Sequence, residues 1–263
     1  MDLNLSNKLA LVTAASQGLG KAAAIELAKE GCNLVICSSN EKKITESAKD
    51  IEKITSSKIT AIRTDLKDAK QIDLLFSQIN AEYGGVDIVV NNAGGPPLST
   101  FESVSDEEWQ KAFDLTMMSA LRVSRLALPH MKKQKWGRII NISSYSVKTP
   151  VTGLFISNTI RLGVLGWAKA LSDEVAREGI TVNTVCPGST RTERINQLIA
   201  NNSKNSGKNL KEAEEAMASS IPMGRIGEPE ELAAMIVFLA SERASYMTGL
   251  AVQVDGGATR QYY

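Results

Sequence analysis

A single histidine stands in this chain of 263 residues, and that scarcity excludes a good deal of chemistry. A Ser-His-Asp triad or a histidine-rich metal site would have to be built around His130 alone, so hydrolase and metalloenzyme readings are set aside. His130 follows a proline in "LALPHMKK" and is expected to be solvated or to cap a helix end. Cysteine is scarce too: Cys32, Cys37 and Cys186 match no zinc spacing and leave an odd thiol. With the polar start "MDLNLSNK" lacking a secretory pattern, the expected setting is reducing and cytoplasmic. Thirty basic residues against twenty-nine acidic ones create no field to attract nucleic acid or an anionic membrane. Apolar runs such as "AAMIVFLA" fall far short of the roughly 20 residues a membrane helix needs.

What the chain does contain is alternation. Short β-branched runs ("KLALVTA", "NLVICS", "KITAIRTD", "VDIVVNNAG", "GRIINISS", "GITVNTVCPG", "GLAVQVDGG") are separated by helical patterns in almost every case. Strands this apolar are buried on both faces, as in a parallel sheet between two helix layers. The expected architecture is a doubly wound Rossmann-type α/β fold of about seven strands, with residues 1–263 as one domain. Ligands are expected at the carboxyl edge of the sheet. The polar, small-residue stretch at 200–220 is expected to be a loop or lid or a merely solvated insertion, and 193–220 a substrate loop.

The first strand ends in "VTAASQGLGK", where Gly18 and Gly20 open a helix. Free N–H groups and the helix dipole favour a phosphate there. Farther along, "LFISNTIRLGVLGW" places Ser157 and Arg161 four residues apart, on one face of an apolar helix.

Together these segments resemble the short-chain dehydrogenase/reductase family, in its branch similar to 3-oxoacyl-[acyl-carrier-protein] reductases. Thr13, Gly18 and Gly20 match the family's glycine motif, with Ala14 in place of its first glycine. "NNAG" at 91–94, Pro187-Gly188, "IPMGRIGEPEELA" and "VDGG" match its later signatures. The resemblance implies that Thr13, Ser16, Gln17, Gly18, Leu19 and Gly20 serve the cofactor phosphates, and that Asp65 and Leu66 hold the adenine. It implies that Asn92, Ala93 and Gly94 lie along the cofactor, followed by Pro187, Gly188 and Thr190, with Thr192 at the nicotinamide amide. At the end of the second strand an acidic residue would bind ribose hydroxyls and repel a 2′-phosphate. Ser38, Ser39 and Asn40 stand there instead, with Lys42 and Lys43 just beyond, so NADP is expected, with NAD possible.

The family's catalytic set is Asn, Ser, Tyr and Lys, and here only the serine, Ser144, is matched. Thr116, Ser157 and Arg161 occupy the other three positions. Arg161 keeps a cation for the nicotinamide ribose. Ser157 replaces a phenol, of reference pKa about 10, with a weaker and shorter acid. Tyr145 or a water near Ser157 are the other proton donors to consider, Tyr145 being alternatively a loop residue that packs outside the pocket. Two functions remain open: an NADP(H)-dependent oxidoreductase acting on a carbonyl or acyl substrate, and a catalytically impaired nucleotide-binding protein acting through assembly or sensing. The family resemblance implies a homotetramer. The apolar surface of "LTMMSALRVSRLAL" and "IRLGVLGWAKAL" is more than one sheet face needs.

Overall fold

The computed structural model describes residues 2–261. Seven strands form its centre: β1 (Leu9–Thr13), β2 (Asn33–Ser38), β3 (Ile59–Arg63), β4 (Ile88–Asn91), β5 (Gly137–Ile142), β6 (Ile180–Pro187) and β7 (Ala251–Val254). All pair in parallel, in the order β3-β2-β1-β4-β5-β6-β7. Chain direction across the sheet reverses between β1 and β4, and that switch opens a crevice at the carboxyl edge.

Successive side chains of each strand point to opposite faces, so each strand feeds two cores. Ala10, Val12, Ile36 and Ile140 pack beneath α1 (Gly18–Lys29), α2 (Glu41–Ile54) and α9 (Pro229–Ala240). Leu9, Leu11, Val35 and Val89 face α3 (Ala69–Tyr83), α5 (Ser119–Gln134) and α6 (Phe155–Val175). Each fully buried Leu, Ile or Val here stabilises by roughly 1.5–3 kcal/mol relative to exposure. No described helix is long and apolar enough to cross a membrane.

Two local expectations are corrected. The segment after residue 192 is not a loop but a pair of helices, α7 (Glu193–Ser206) and α8 (Leu210–Ser219). The polar composition hid a sparse apolar stripe: Ile195 and Ile199 on α7 meet Ala213 and Met217 on α8, around Ile226. Gly207 ends α7 at φ 69°, and an Asn209–Glu212 capping box starts α8. His130 neither caps nor floats in solvent. It lies inside α5, with Nε2 3.3 Å from Asp87 Oδ1, and a structural pairing accounts for it.

Candidate functional site

At the carboxyl edge the loops after β1 to β6 enclose a cleft of about 940 Å³. One end is the start of α1. Its N-cap residue, Gln17, makes no side-chain cap, so the first N–H groups of the helix open on the cleft, as an anion site requires. Gly20 does not line the cleft. A Cβ there would stand 2.6 Å from Asn92 Nδ2 and 2.7 Å from the Ala14 carbonyl oxygen, so glycine lets the helix approach the β4 loop. Thr13 is likewise a buried brace: Asn92 N donates to its Oγ1 at 2.8 Å, and Oγ1 donates back to Asn92 O at 2.7 Å. The expected contacts of Thr13 and Gly20 with a cofactor therefore become positioning roles. Ser16, Gln17, Gly18 and Leu19 do line the cleft.

The end of β2 lies on the cleft, with two of its polar atoms bonded inside the protein. Ser38 is buried and its Oγ donates to Asn40 O, while Asn40 Oδ1 caps α2 by accepting from Lys43 N. Those two polar groups are engaged within the protein. Ser38, Asn40, Ser39 and Lys43 all line the cleft, with Lys43 Nζ 3.3 Å from Gln17 Oε1; Lys42 is not among the lining residues. Asp65 lines the wall with its carboxylate held by Lys67, through N at 3.0 Å and Nζ at 3.5 Å. Leu66 sends its side chain into the core, which leaves its backbone for a ligand.

Along the middle run Asn92, Ala93 and Gly94, opposite Pro187, Gly188, Thr190 and Thr192. A Cβ on Gly18 would touch the Thr192 methyl at 3.4 Å, so the first and sixth loops meet across the cleft.

The far end carries the polar groups suited to chemistry. Ser144 caps a one-turn 3-10 helix, its Oγ accepting from Ser146 N at 3.1 Å, which leaves its hydroxyl hydrogen free to donate. The pairing read from the spacing at 157 and 161 is a direct hydrogen bond: Arg161 Nε donates to Ser157 Oγ at 3.2 Å. Arg161 Nη1 also donates to Ile142 O and Ser143 O, each at 3.1 Å, which ties α6 to the end of β5. Burial, and secondarily the nearby Arg194, push the Arg161 guanidinium down to about 10. At neutral pH it stays charged. Tyr145 lines the cleft rather than packing outside it, and burial, aided by the Asp255 charge, raises its phenol above the ordinary value.

Thr116 does not reach the main cleft. It lies in a π-helical segment, Asp114–Met118, between α4 (Asp106–Phe113) and α5, and lines a small cavity of about 20 Å³ that Arg161 also lines. Thr116 Oγ1, Asn91 Oδ1, Asn141 Nδ2 and Ser143 Oγ, all from residues lining this cavity, lack protein partners, and its volume suits one water molecule.

Sequence reasoning missed Arg194, on α7 two residues beyond Thr192. Its Nη2 donates to Pro96 O at 2.9 Å, on the opposite wall. The only signal was its place next to the matched Thr192.

Known proteins resemble this chain over nearly its whole length. A family model described as enoyl-(acyl carrier protein) reductase matches residues 13–259. The NADPH-dependent reductase BacG of Bacillus subtilis is 34% identical over 257 residues, spanning 97% of this chain and 99% of that protein. The 3-oxoacyl-[acyl-carrier-protein] reductase FabG of Aquifex aeolicus is 32% identical, spanning 98% and 99%. The structure of L-sorbose reductase from Gluconobacter frateurii, complexed with NADPH and L-sorbose, superposes with a TM-score of 0.96 at 32% identity, covering 99% of this chain and all of that one. The chain belongs to the short-chain dehydrogenase/reductase family, in the branch similar to 3-oxoacyl-[acyl-carrier-protein] reductases.

Proposed function

We propose that this protein is an NADP(H)-dependent oxidoreductase that transfers hydride at a carbonyl or alcohol carbon, through a site in which a serine–arginine pair stands where the family has tyrosine and lysine. The observation that carries the reading is the Arg161–Ser157 hydrogen bond on the wall that Ser144 also lines. The residues present fit the cofactor: an uncapped helix start faces the cleft, no carboxylate lies at 38–40, and Lys43 is there to meet a 2′-phosphate. NADP(H), when bound, supplies or accepts the hydride.

The protein's own part is orientation and proton handling. Ser144 donates its free hydroxyl hydrogen to the substrate oxygen. Ser157 accepts from the guanidinium, which polarises its O–H and strengthens it as a donor, and it holds the proton that the substrate oxygen takes up. Arg161 fixes that hydroxyl and adds positive charge beside the oxygen on which negative charge develops. Tyr145 is the second donor in reach of the cleft, but burial makes its phenol a weaker acid than usual.

The same reading takes residues 1–263 as one domain and assigns the α7–α8 pair to substrate enclosure. It also includes a homotetramer. Exposed Phe113, with Trp109, Met117, Ile160 and Gly163 among others, lines an apolar groove of about 590 Å³ between α4, the π segment and α6, and Leu162 is exposed on α6. The three cysteines are free and buried, which fits a reducing cytoplasm.

Single-turnover hydride transfer from NADPH, measured beside cofactor affinity, tests the proposal. Ser157→Ala should lower the transfer rate about 10²-fold or more and leave NADPH affinity nearly unchanged. If Tyr145→Phe carries that loss instead, the proton role moves to Tyr145. Cofactor binding without turnover on any carbonyl would favour a nucleotide-binding protein that acts through assembly or sensing.

A further inference from the structure

Two arginines on the cleft wall have no counter-charge. Among the described residues neither Arg161 nor Arg194 has a carboxylate within ion-pair distance, whereas the more deeply buried Arg138 has Glu242 at 3.7 Å. The carboxylates on the cleft are Asp65, held by Lys67, and Glu193, which accepts from Gln197 Nε2. Against these two stand Lys43, Lys67, Arg161 and Arg194.

Each arginine sits where a cation is disfavoured. Both line the same cleft; burial lowers the pKa of both, and the charge of Arg194 lowers that of Arg161 further. Arg194 also occupies the first turn of α7, a 14-residue helix whose positive dipole end opposes a cation. The N-cap of that helix, Thr192, makes no side-chain cap. One anion between the two guanidinium groups would relieve all three penalties at once.

Both groups are held with donors to spare. Arg161 spends Nε and Nη1 on Ser157, Ile142 and Ser143, and its Nη2 has no partner among the described residues. Arg194 makes one hydrogen bond, to Pro96 O, with its guanidinium lying over Gly95. A Cβ at Gly95 would stand 2.2 Å from Arg194 Nη1, so this resting place requires glycine.

Resting on the reductase reading above, we propose that Arg161 and Arg194 bind a carboxylate of the substrate, which makes the substrate an oxo acid, or the matching hydroxy acid, with an apolar tail. The carboxylate lies close to the reacting carbonyl, because Arg161 is bonded to Ser157 beside Ser144. The tail faces Leu98, Leu154, Leu198 and Met217 on the same cleft. The cofactor's phosphates have separate places, at the start of α1 and beside Lys43.

Calorimetric titration of the NADP⁺-saturated protein with 2-oxo-4-phenylbutanoate, 3-oxooctanoate and their methyl esters tests this. At least one acid should bind about tenfold or more tightly than its ester, the gap expected of a charge-assisted bond. Arg194→Gln should remove the gap, Arg194→Lys should restore part of it, and NADPH affinity should stay within about twofold. Equal binding of acid and ester in both pairs overturns the proposal, as does a gap that survives Arg194→Gln. A tenfold loss of NADPH affinity in Arg194→Gln with the acid–ester gap intact assigns the arginine to a cofactor phosphate and also overturns it. If NADP(H) does not bind at all, the reductase reading fails, and the same titrations on the free protein still decide whether the arginines hold a carboxylate.

Discussion

Ala14 replaces the first glycine of the family's phosphate motif, and its backbone has φ 48°, in the left-handed region. For an L-residue that conformation costs about 1–2 kcal/mol, because Cβ crowds the following carbonyl. Ala14→Gly removes the strain. Against this, glycine surrenders about 0.5–1 kcal/mol more backbone entropy on folding. The lost methyl is partly buried against the α3–α5–α6 core, and at half of the ~0.8 kcal/mol for a fully buried group it contributes about 0.4 kcal/mol. The sum lies between a destabilisation of about 0.4 kcal/mol and a stabilisation of about 1.1 kcal/mol. At an ordinary extended residue the same substitution would lose about 1–1.4 kcal/mol, because only the entropy and methyl terms would act. A gain, or a loss well under 1 kcal/mol, therefore reports the strain. Urea unfolding of wild type and Ala14→Gly, compared at equal m-value, gives the number. Ala14→Val should destabilise strongly, since a β-branched residue fits positive φ worst. A loss of 1 kcal/mol or more on Ala14→Gly would refute the reasoning.

Three further outcomes follow from the geometry. Lys43→Ala should weaken NADPH by about tenfold and leave NADH nearly unaffected, and Ser39→Asp should reverse the preference; fluorescence titration of both reduced cofactors checks this. Glu231 accepts both Nη groups of Arg225 and the Glu228 N–H, which lowers its carboxyl to about 2. Because its folded pKa lies below the ordinary glutamate value of 4.5, its contribution is present above pH 4.5 and fades as pH falls toward 2, so Glu231→Gln should flatten the stability profile in that window. Leu162→Glu should yield a 28.3 kDa monomer by light scattering where wild type gives a tetramer mass; a wild-type monomer at micromolar concentration would count against the apolar groove as an interface.

The alternation of apolar strands with helical patterns made the sheet legible, because strands buried on both faces admit few other readings. The glycine turn, the "NNAG" segment and Pro187-Gly188 fell on the cleft for the same reason: loops at the carboxyl ends of parallel strands must converge there. The α7–α8 pair was not legible. Four apolar side chains among polar neighbours suffice for a small cluster, and Ile226, its fifth member, lies outside the segment. Nor did sequence separate lining residues from braces. Thr13 and Gly20 belong to a motif read as binding, yet one holds the β4 loop by two short hydrogen bonds and the other makes room for it. The engagement of Ser38 and Asn40 with their own backbone depends on how the start of α2 is capped, and so does the exposure of Lys43. Arg194 was invisible as a functional group because nothing in one dimension tells that a surface-type residue has turned inward without a counter-charge.

The most direct measurement follows a labelled hydride. The protein is mixed with NADPH carrying deuterium at the transferable C4 position and with a panel of ketones, including the oxo acids above, and products are read by mass spectrometry. The account predicts one deuterium on the reduced carbon of at least one substrate, with label transfer slowed about 10²-fold by Ser157→Ala or, if the phenol is the donor, by Tyr145→Phe. NADPH that binds while no label reaches any carbon would contradict it.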